Sequence, residues 1–450
     1  MLHGSLWRKC STEIVFLEVF DYYDRMKSGK RIYPHTTSLK KNGVRVYMDY
    51  ASATPVDPRV KEHMRSIEDK LAGNPDALHE EGRFGKKILE DARKVVATTL
   101  RAHSDEIIFT SGATESNNLA ILGVHSKLLP IFQKRNKTPH IIVSTIEHKS
   151  VLETAERLRA LGADVSYIRP NPEGIISPRD IRDAIKPETI LVSIMYANNE
   201  IGTIQPIAEI AKVIRNFRKS HYSLHTTHYF PLFHTDATQA VNYCDMNIAK
   251  LGVDLLTMNS PKVYGPAGIG ALFIKRATPI MPIIFGGGQE GGLRSGRELP
   301  LLASGFARAL EIAEKEKIKE AKRLTKLRDY FFKKVLEIDP KITINGSTKE
   351  RLPNNVNICV PNLDAEFAVY QLDEKGIACS SASTCVSASE DSYSYVIEET
   401  RPGSNCASSS LRFSLGRYTS KRDVDYCLKA LKEVVSRQYS VHNNNFSSVY

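Results

Sequence analysis

Three apolar, β-rich runs in the middle of this chain each stop at a polar group of a different kind, and that pattern constrains the fold more than any other feature. Between Asp105 and Gly123 the sequence DEIIFTSGATESNNLAILG passes from a short apolar run through a glycine turn into apolar residues at helical spacing, the order strand, turn, helix. The turn Ser111-Gly112-Ala113-Thr114 offers backbone N–H groups and a hydroxyl at a helix N-terminus, a ready site for a phosphate. A second run from Pro231 ends on the carboxylate of Asp236, followed by Ala237-Thr238-Gln239. A third, Val253 to Met258, leads through Asn259-Ser260-Pro261 to Lys262 and then Tyr264-Gly265-Pro266. Alternation of strand and helix predicts an α/β fold, a mostly parallel sheet covered by helices on both faces with right-handed crossovers. The carboxyl ends of its strands open on one crevice, so an anion cradle, an acid and a lysine can serve one ligand.

Singly, these groups read as a capped helix, a helix cap and a surface turn. Together they are what pyridoxal phosphate needs: an amine for its aldehyde, a carboxylate for its ring nitrogen and an anion site for its phosphate. A further group stands near the C-terminal end, where Cys385 lies in the small and hydroxylated run Ser381 to Ser389. Such a run packs no core, and a thiol on a solvated segment suits a nucleophile that collects an atom and delivers it. The alternative is a buried cysteine acting as a small apolar side chain.

From about Tyr47 to about Val435 the chain resembles the cysteine desulfurases of the class V aminotransferase group. The motifs that carry the resemblance, in order, are YMDYASATPVDPRV, GNPDALHEEGRFG, IIFTSGATESNNLAI, TIEHKSVLETAERL, NNEIGTIQPIAEIA, FHTDATQAV, KVYGPAGIGALF, GGGQEGGLRSG, the Cys385 segment and SSLRFSLGRYTS. The resemblance implies the pyridoxal phosphate fold type I, with a large cofactor domain over 46–297, a smaller α+β domain over 298–436 carrying the Cys385 segment, an N-terminal extension over 1–45 and a polar tail over 437–450. It implies that Lys262 carries the cofactor, Asp236 meets the ring nitrogen, and His148 stacks on the ring and helps move protons. Ala113 and Thr114 would form the phosphate turn, with Asn199 and Gln239 as ring contacts and Arg412 as the clamp on the substrate carboxylate. Cys385 would take sulfur from L-cysteine as a persulfide, releasing L-alanine, and His148 is the expected acceptor for its thiol proton. A homodimer and a sulfur-accepting scaffold protein of iron–sulfur cluster assembly are the implied partners.

Three departures stand out. Asn259-Ser260-Pro261 replaces the family's Ser-x-His before the lysine; Asn259 and Ser260 remain as expected phosphate ligands. Arg294-Ser295-Gly296-Arg297 replaces Arg-Ser-Gly-Thr, making Arg297 a further candidate for phosphate. Glu390-Asp391-Ser392 replaces Leu-Glu-Pro after the cysteine run. They keep a non-catalytic assembly subunit open as an alternative, and because the same lysine, acid and cysteine could handle selenium, another class V activity such as selenocysteine lyase is the second.

Seven cysteines at irregular spacing, without a C-x-x-C pair, argue against a disulfide framework and against a zinc site. No run of about 18 apolar residues would span a bilayer, so no membrane partner is expected. The net charge of +11 is scattered, as in 314–334, which reads as a solvated helix face; this favours acidic protein partners over nucleic acid. The three histidines within 218–230 share no helix or strand face, so that stretch reads as a surface insertion without metal. Residues 1–45 fit a transit segment only in their first eleven residues. The expected compartment is a mitochondrion or mitochondrion-related organelle, with the cytoplasm as alternative.

Overall fold

The computed structural model describes residues 45–221, 230–381 and 393–446, the last helix with side chains to 436. Its strands are β1 (Val46–Tyr47), β2 (Ile107–Thr110), β3 (His140–Ser144), β4 (Asp164–Ile168), β5 (Thr189–Ser193), β6 (Leu232–Asp236), β7 (Leu255–Asn259), β8 (Gly270–Ile274), β9 (Thr343–Ile344), β10 (Asn355–Cys359), β11 (Ile377–Ala378), β12 (Ser380–Ser381) and β13 (Ser410–Ser414). The main sheet has the order β2-β8-β7-β6-β5-β3-β4. Only β8 runs against its neighbours, pairing antiparallel with both β2 and β7, and the remaining pairs are parallel. Burial on both faces explains why the inner strands such as β3, β5 and β8 carry runs of apolar residues, while the edge strand β4 alternates and is partly exposed. Ile142, Phe233, Leu256 and Phe273 enter one core, while Ile141, Leu232, Leu255 and Leu272 enter the other.

A second, antiparallel sheet has the order β12-β13-β10-β9, and β1 pairs in parallel with β11. β1 therefore belongs with the C-terminal part of the chain: Val46 and Met48 are buried in the same core as Phe331, Val356, Ile377 and Phe413. The helix Pro300–Leu336 contributes to two cores. Its early residues Ala303, Phe306 and Leu310 pack in the main core, and its later residues Leu324, Phe331 and Val335 in the smaller one. The stretch 314–334 is solvated in its first half, where Ile318 is 85% exposed, and gains a buried side from Leu324 onward, where the helix enters the smaller core.

Cys359 and Cys406 form a disulfide, with Cα atoms 5.2 Å apart. This sets one bridge among the described residues against the sequence reading, which argued against a disulfide framework. The spacing carries no signal because Cys359 closes β10 opposite Ser410 of β13, and Cys406 sits just ahead of that strand. No helix among the described residues is long and apolar enough to cross a membrane. Of the three-histidine stretch, His221 ends the helix Ile207–His221, and residues 222–229 with the other two histidines lie outside the described residues.

Candidate active site

Five carboxyl-terminal strand ends meet at one cavity of about 380 Å³, whose wall includes Asp49, Ala113, Thr114, His148, Asn199, Asp236, Gln239, Asn259, Lys262 and Arg412. After β2 the chain turns at Gly112, with φ 157°, into the helix Ala113–Lys134, which has no side-chain cap on its first N–H groups. Two glycines make this turn possible. Gly112 holds a backbone conformation that side chains resist, and on the facing strand a Cβ at Gly270 would come within 2.8 Å of the Gly112 Cα. The uncapped N–H groups, the positive end of a 22-residue helix and the Asn259 amide at the end of β7 form the anion end of the cavity.

Asp236 closes β6 and is buried; the Asn117 amide donates to its Oδ2 at 2.8 Å and the Thr238 N–H to its Oδ1 at 2.9 Å. The Lys262 Nζ lies across from it, donating to the Ala51 carbonyl at 2.8 Å and to the Ser52 carbonyl. His148 caps the helix Lys149–Ala160. Burial holds its pKa below the ordinary value, the Lys262 cation acts in the same direction, and Asp236 opposes them. Gln239 donates to the Ala51 carbonyl at 3.0 Å.

Arg412, in the middle of β13 and 3% exposed, donates to the Asn199 carbonyl at 3.1 Å, to Asp49 at 2.9 Å and to the Ser52 hydroxyl at 2.6 Å. Its Nε, with Asn199 Oδ1 and Thr238 Oγ1, is buried without a hydrogen-bond partner. Buried polar atoms without partners are costly, and these three belong to residues around one cavity. Together with the uncapped helix, the strand-end acid and the lysine, they fit a phosphorylated pyridine aldehyde and an amino-acid carboxylate.

The structure does not bring every candidate together. Ser260 is fully buried, and its hydroxyl lies where a Cβ on Gly265 would come within 2.3 Å; it is absent from the cavity wall. Arg297 is exposed and also outside the wall. Cys385 falls outside the described residues, but both described flanks of its segment attach beside the cavity. On one side Ser380 pairs with Arg412. On the other, Ser394 donates to the Glu200 carboxylate at 2.5 Å and the Tyr395 hydroxyl to the Glu147 carbonyl at 2.6 Å.

Family models and relatives agree with this geometry. The class-V aminotransferase profile matches residues 46–427. "Cysteine desulfurase IscS" of Dictyoglomus turgidum is 41% identical over 392 residues, 87% of this chain and 95% of that one. The chain belongs to the cysteine desulfurase family. A further family member, "Cysteine desulfurase, mitochondrial" of Eremothecium gossypii, is 39% identical and covered over 76% of its length by 87% of this chain. Among solved structures, one titled "NIFS-LIKE PROTEIN" superposes with a TM-score of 0.78 at 34% identity, over 87% of this chain and all of that one. Bacterial and mitochondrial desulfurases are thus both similar to it.

Sequence reasoning left out residues that these family motifs contain. Asp49 and Ser52 stand in YMDYASATP, Asn117 in the ESNN stretch, Glu147 before His148 and Glu200 in NNEIG. Their motifs marked the places, but their work lies in contacts across the fold. Glu200 is fully buried, and its backbone carbonyl accepts from the Asn355 and Asn357 amides at 2.9 and 3.0 Å; burial pushes its carboxyl up to about 7. Glu147 accepts from Ser144 at 2.5 Å and from the Met195 N–H at 2.8 Å. Burial, with Asp236 nearby, raises its carboxyl from 4.5 to about 8.

A raised carboxyl means the folded chain holds a proton that the unfolded chain releases. The stability contributed by Glu147 protonation is therefore complete below the unfolded value of 4.5 and lost as pH rises through about 8. The slope reaches about 1.4 kcal/mol per pH unit. Glu147→Gln keeps an uncharged acceptor in place, so its urea midpoint should gain on the parent between about pH 5 and 8.5; parallel curves would show that Glu147 is already ionised.

Proposed function

We propose that this chain is a pyridoxal phosphate-dependent cysteine desulfurase that converts L-cysteine to L-alanine and passes the sulfur, as a persulfide on Cys385, to acceptors in iron–sulfur cluster assembly. The observation that carries the reading is the single cavity that holds Lys262, Asp236, the uncapped turn Gly112–Thr114 and Arg412. Bound there, the cofactor supplies an aldehyde that captures amines and a ring that takes up electron density from the substrate α-carbon.

The chain's own groups divide the remaining work. Lys262 provides the amine, Asp236 keeps the ring nitrogen protonated, and the helix N-terminus with Asn259 holds the phosphate. Arg412 binds the substrate carboxylate through the buried Nε left without an acceptor. Cys385 attacks the substrate sulfur as a thiolate and keeps it, and alanine leaves. Free Cys244, Cys379 and Cys427 are all buried, and burial raises all three thiols above their ordinary pKa, which suits packing rather than nucleophilic work.

Arg297 lies outside its own cavity wall, so a role at the phosphate places it in the cavity of a second copy, as a homodimer allows. We take the chain as two bodies joined through the helix Pro300–Leu336, and as a protein of a mitochondrion or mitochondrion-related organelle. Sedimentation at the monomer mass, or a cytosolic signal from a fluorescent fusion of the full chain, would remove the dimer or the compartment from this reading.

The deciding experiment adds pyridoxal phosphate and L-cysteine to the purified chain and measures absorbance, sulfide and alanine. A coloured protein forming equal amounts of sulfide (with a reductant) and alanine supports the enzyme, and a colourless, inactive one supports the assembly-subunit alternative. In the same assay Arg412→Lys should raise the KM for cysteine roughly 10- to 100-fold, since a lost charged hydrogen bond costs about 1.5–3 kcal/mol and an ammonium lacks the planar fork. An unchanged KM would move carboxylate recognition elsewhere.

A further inference from the structure

Behind the cavity wall a chain of hydrogen bonds runs between two groups that face the ligand from different strands. The Asn117 Nδ2 lies 2.8 Å from Asp236 Oδ2 and 2.8 Å from the Ser150 hydroxyl. That hydroxyl in turn lies 2.8 Å from His148 Nδ1, and the Ser150 backbone N–H donates to the same Nδ1 at 3.1 Å. Asn117, Ser150 and Asp236 are 0%, 8% and 5% exposed, so water does not compete for these bonds.

The direction of each bond follows from what each atom can do. An amide NH2 only donates, so the Ser150 oxygen accepts from Asn117 and is left with its own proton to give. A backbone N–H only donates, so His148 Nδ1 must present its lone pair. Two donors then converge on Nδ1, and a proton there would confront the Ser150 N–H. The neutral ring therefore carries its proton on Nε2, the nitrogen left for the cavity.

We propose that Asn117 and Ser150 are positioning residues that hold His148 in its Nε2-protonated form and tie its orientation to that of Asp236, so that His148 meets the ligand as a hydrogen-bond donor. The inference rests on the functional reading above and deepens it. A donor at Nε2 has no lone pair there to receive the Cys385 thiol proton, contrary to the expectation from the sequence. The acceptor for that proton is then another group or water.

The ring state is measurable without turnover. Protein labelled with 15N-histidine, with and without pyridoxal phosphate, is examined by long-range 1H–15N correlation, the His148 signals being those lost in His148→Gln. The expected pattern is an unprotonated Nδ1 and a protonated Nε2; the reverse pattern overturns the proposal. Ser150→Ala removes the hydroxyl and should shift the Nδ1 signal and lower kcat about tenfold, the effect of one hydrogen bond of about 1.4 kcal/mol, with the KM for cysteine within about twofold. Ser150→Thr should restore both. A Ser150→Ala protein with the parent's Nδ1 signal and kcat also overturns the proposal. If the parent shows the expected ring state but binds no pyridoxal phosphate, the functional reading fails and the positioning assignment stands on its own.

Discussion

A Lys262→Ala protein is expected to lose the absorbance of lysine-bound cofactor completely and its turnover by a factor on the order of 10⁴ or more, as for loss of a group that forms the covalent bond. The reason is position. Lys262 is the lysine that the turn after β7 delivers to the cavity wall. The variant gives up two hydrogen bonds to the carbonyls of Ala51 and Ser52, about 1 kcal/mol each, so it should still fold. Borohydride reduction of the parent with bound cofactor, followed by peptide mapping, should place the adduct on Lys262. An adduct on any other lysine would sink the assignment.

Cys385→Ser should separate sulfur chemistry from cofactor binding. The described groups of the cavity wall come from other residues, so the variant should take up pyridoxal phosphate with the parent's absorbance and respond to L-cysteine. Alanine and sulfide formation should fall by a factor on the order of 10³ or more, because a hydroxyl at neutral pH is a far poorer nucleophile than a thiolate. Mass spectrometry of parent protein after labelled cysteine should find the extra sulfur on the Cys385 peptide. The described cysteines are poor competitors: three are buried with raised pKa values and two are bridged to each other. Sulfur trapped on Cys379, or normal desulfuration by the serine variant, would reject Cys385 as the carrier.

The middle of the main sheet was legible in the sequence because β2, β6 and β7 are short apolar runs that stop at a polar residue, whereas the edge strand β4, DVSYI, alternates and is only partly buried. The ends of β2, β6 and β7 fall where the runs break, at Thr110, Asp236 and Asn259. The groups that touch the cavity were legible for the same reason, since strand ends in a parallel sheet converge whatever lies between them. What stayed hidden depends on which side chain faces which way. Ser260 stands beside Asn259 in sequence, yet the tight 3₁₀ turn over Ser260–Lys262 puts its hydroxyl under Gly265 instead of in the cavity. Asn117 and Ser150 lie on different helices, so no local pattern announces that one amide reaches both Asp236 and Ser150. The Cys359–Cys406 bridge was hidden because its partners lie 47 residues apart, one at the end of β10 and the other in the short turn that leads into the paired strand β13.

The pairing of Val46 with Ile377 fixes an order of assembly. As the chain leaves the ribosome, β1 appears early, while its partner strand and most of the core that buries Val46 and Met48 are made hundreds of residues later. Loop closure over so long a separation is slow, so the main sheet has time to form first, and Val46 and Met48 wait for the last third of the chain to bury them. Pulse-labelled hydrogen exchange during refolding should therefore protect β5 and β6 before β1 and β11. Simultaneous protection would mean that the ends meet before the middle is built.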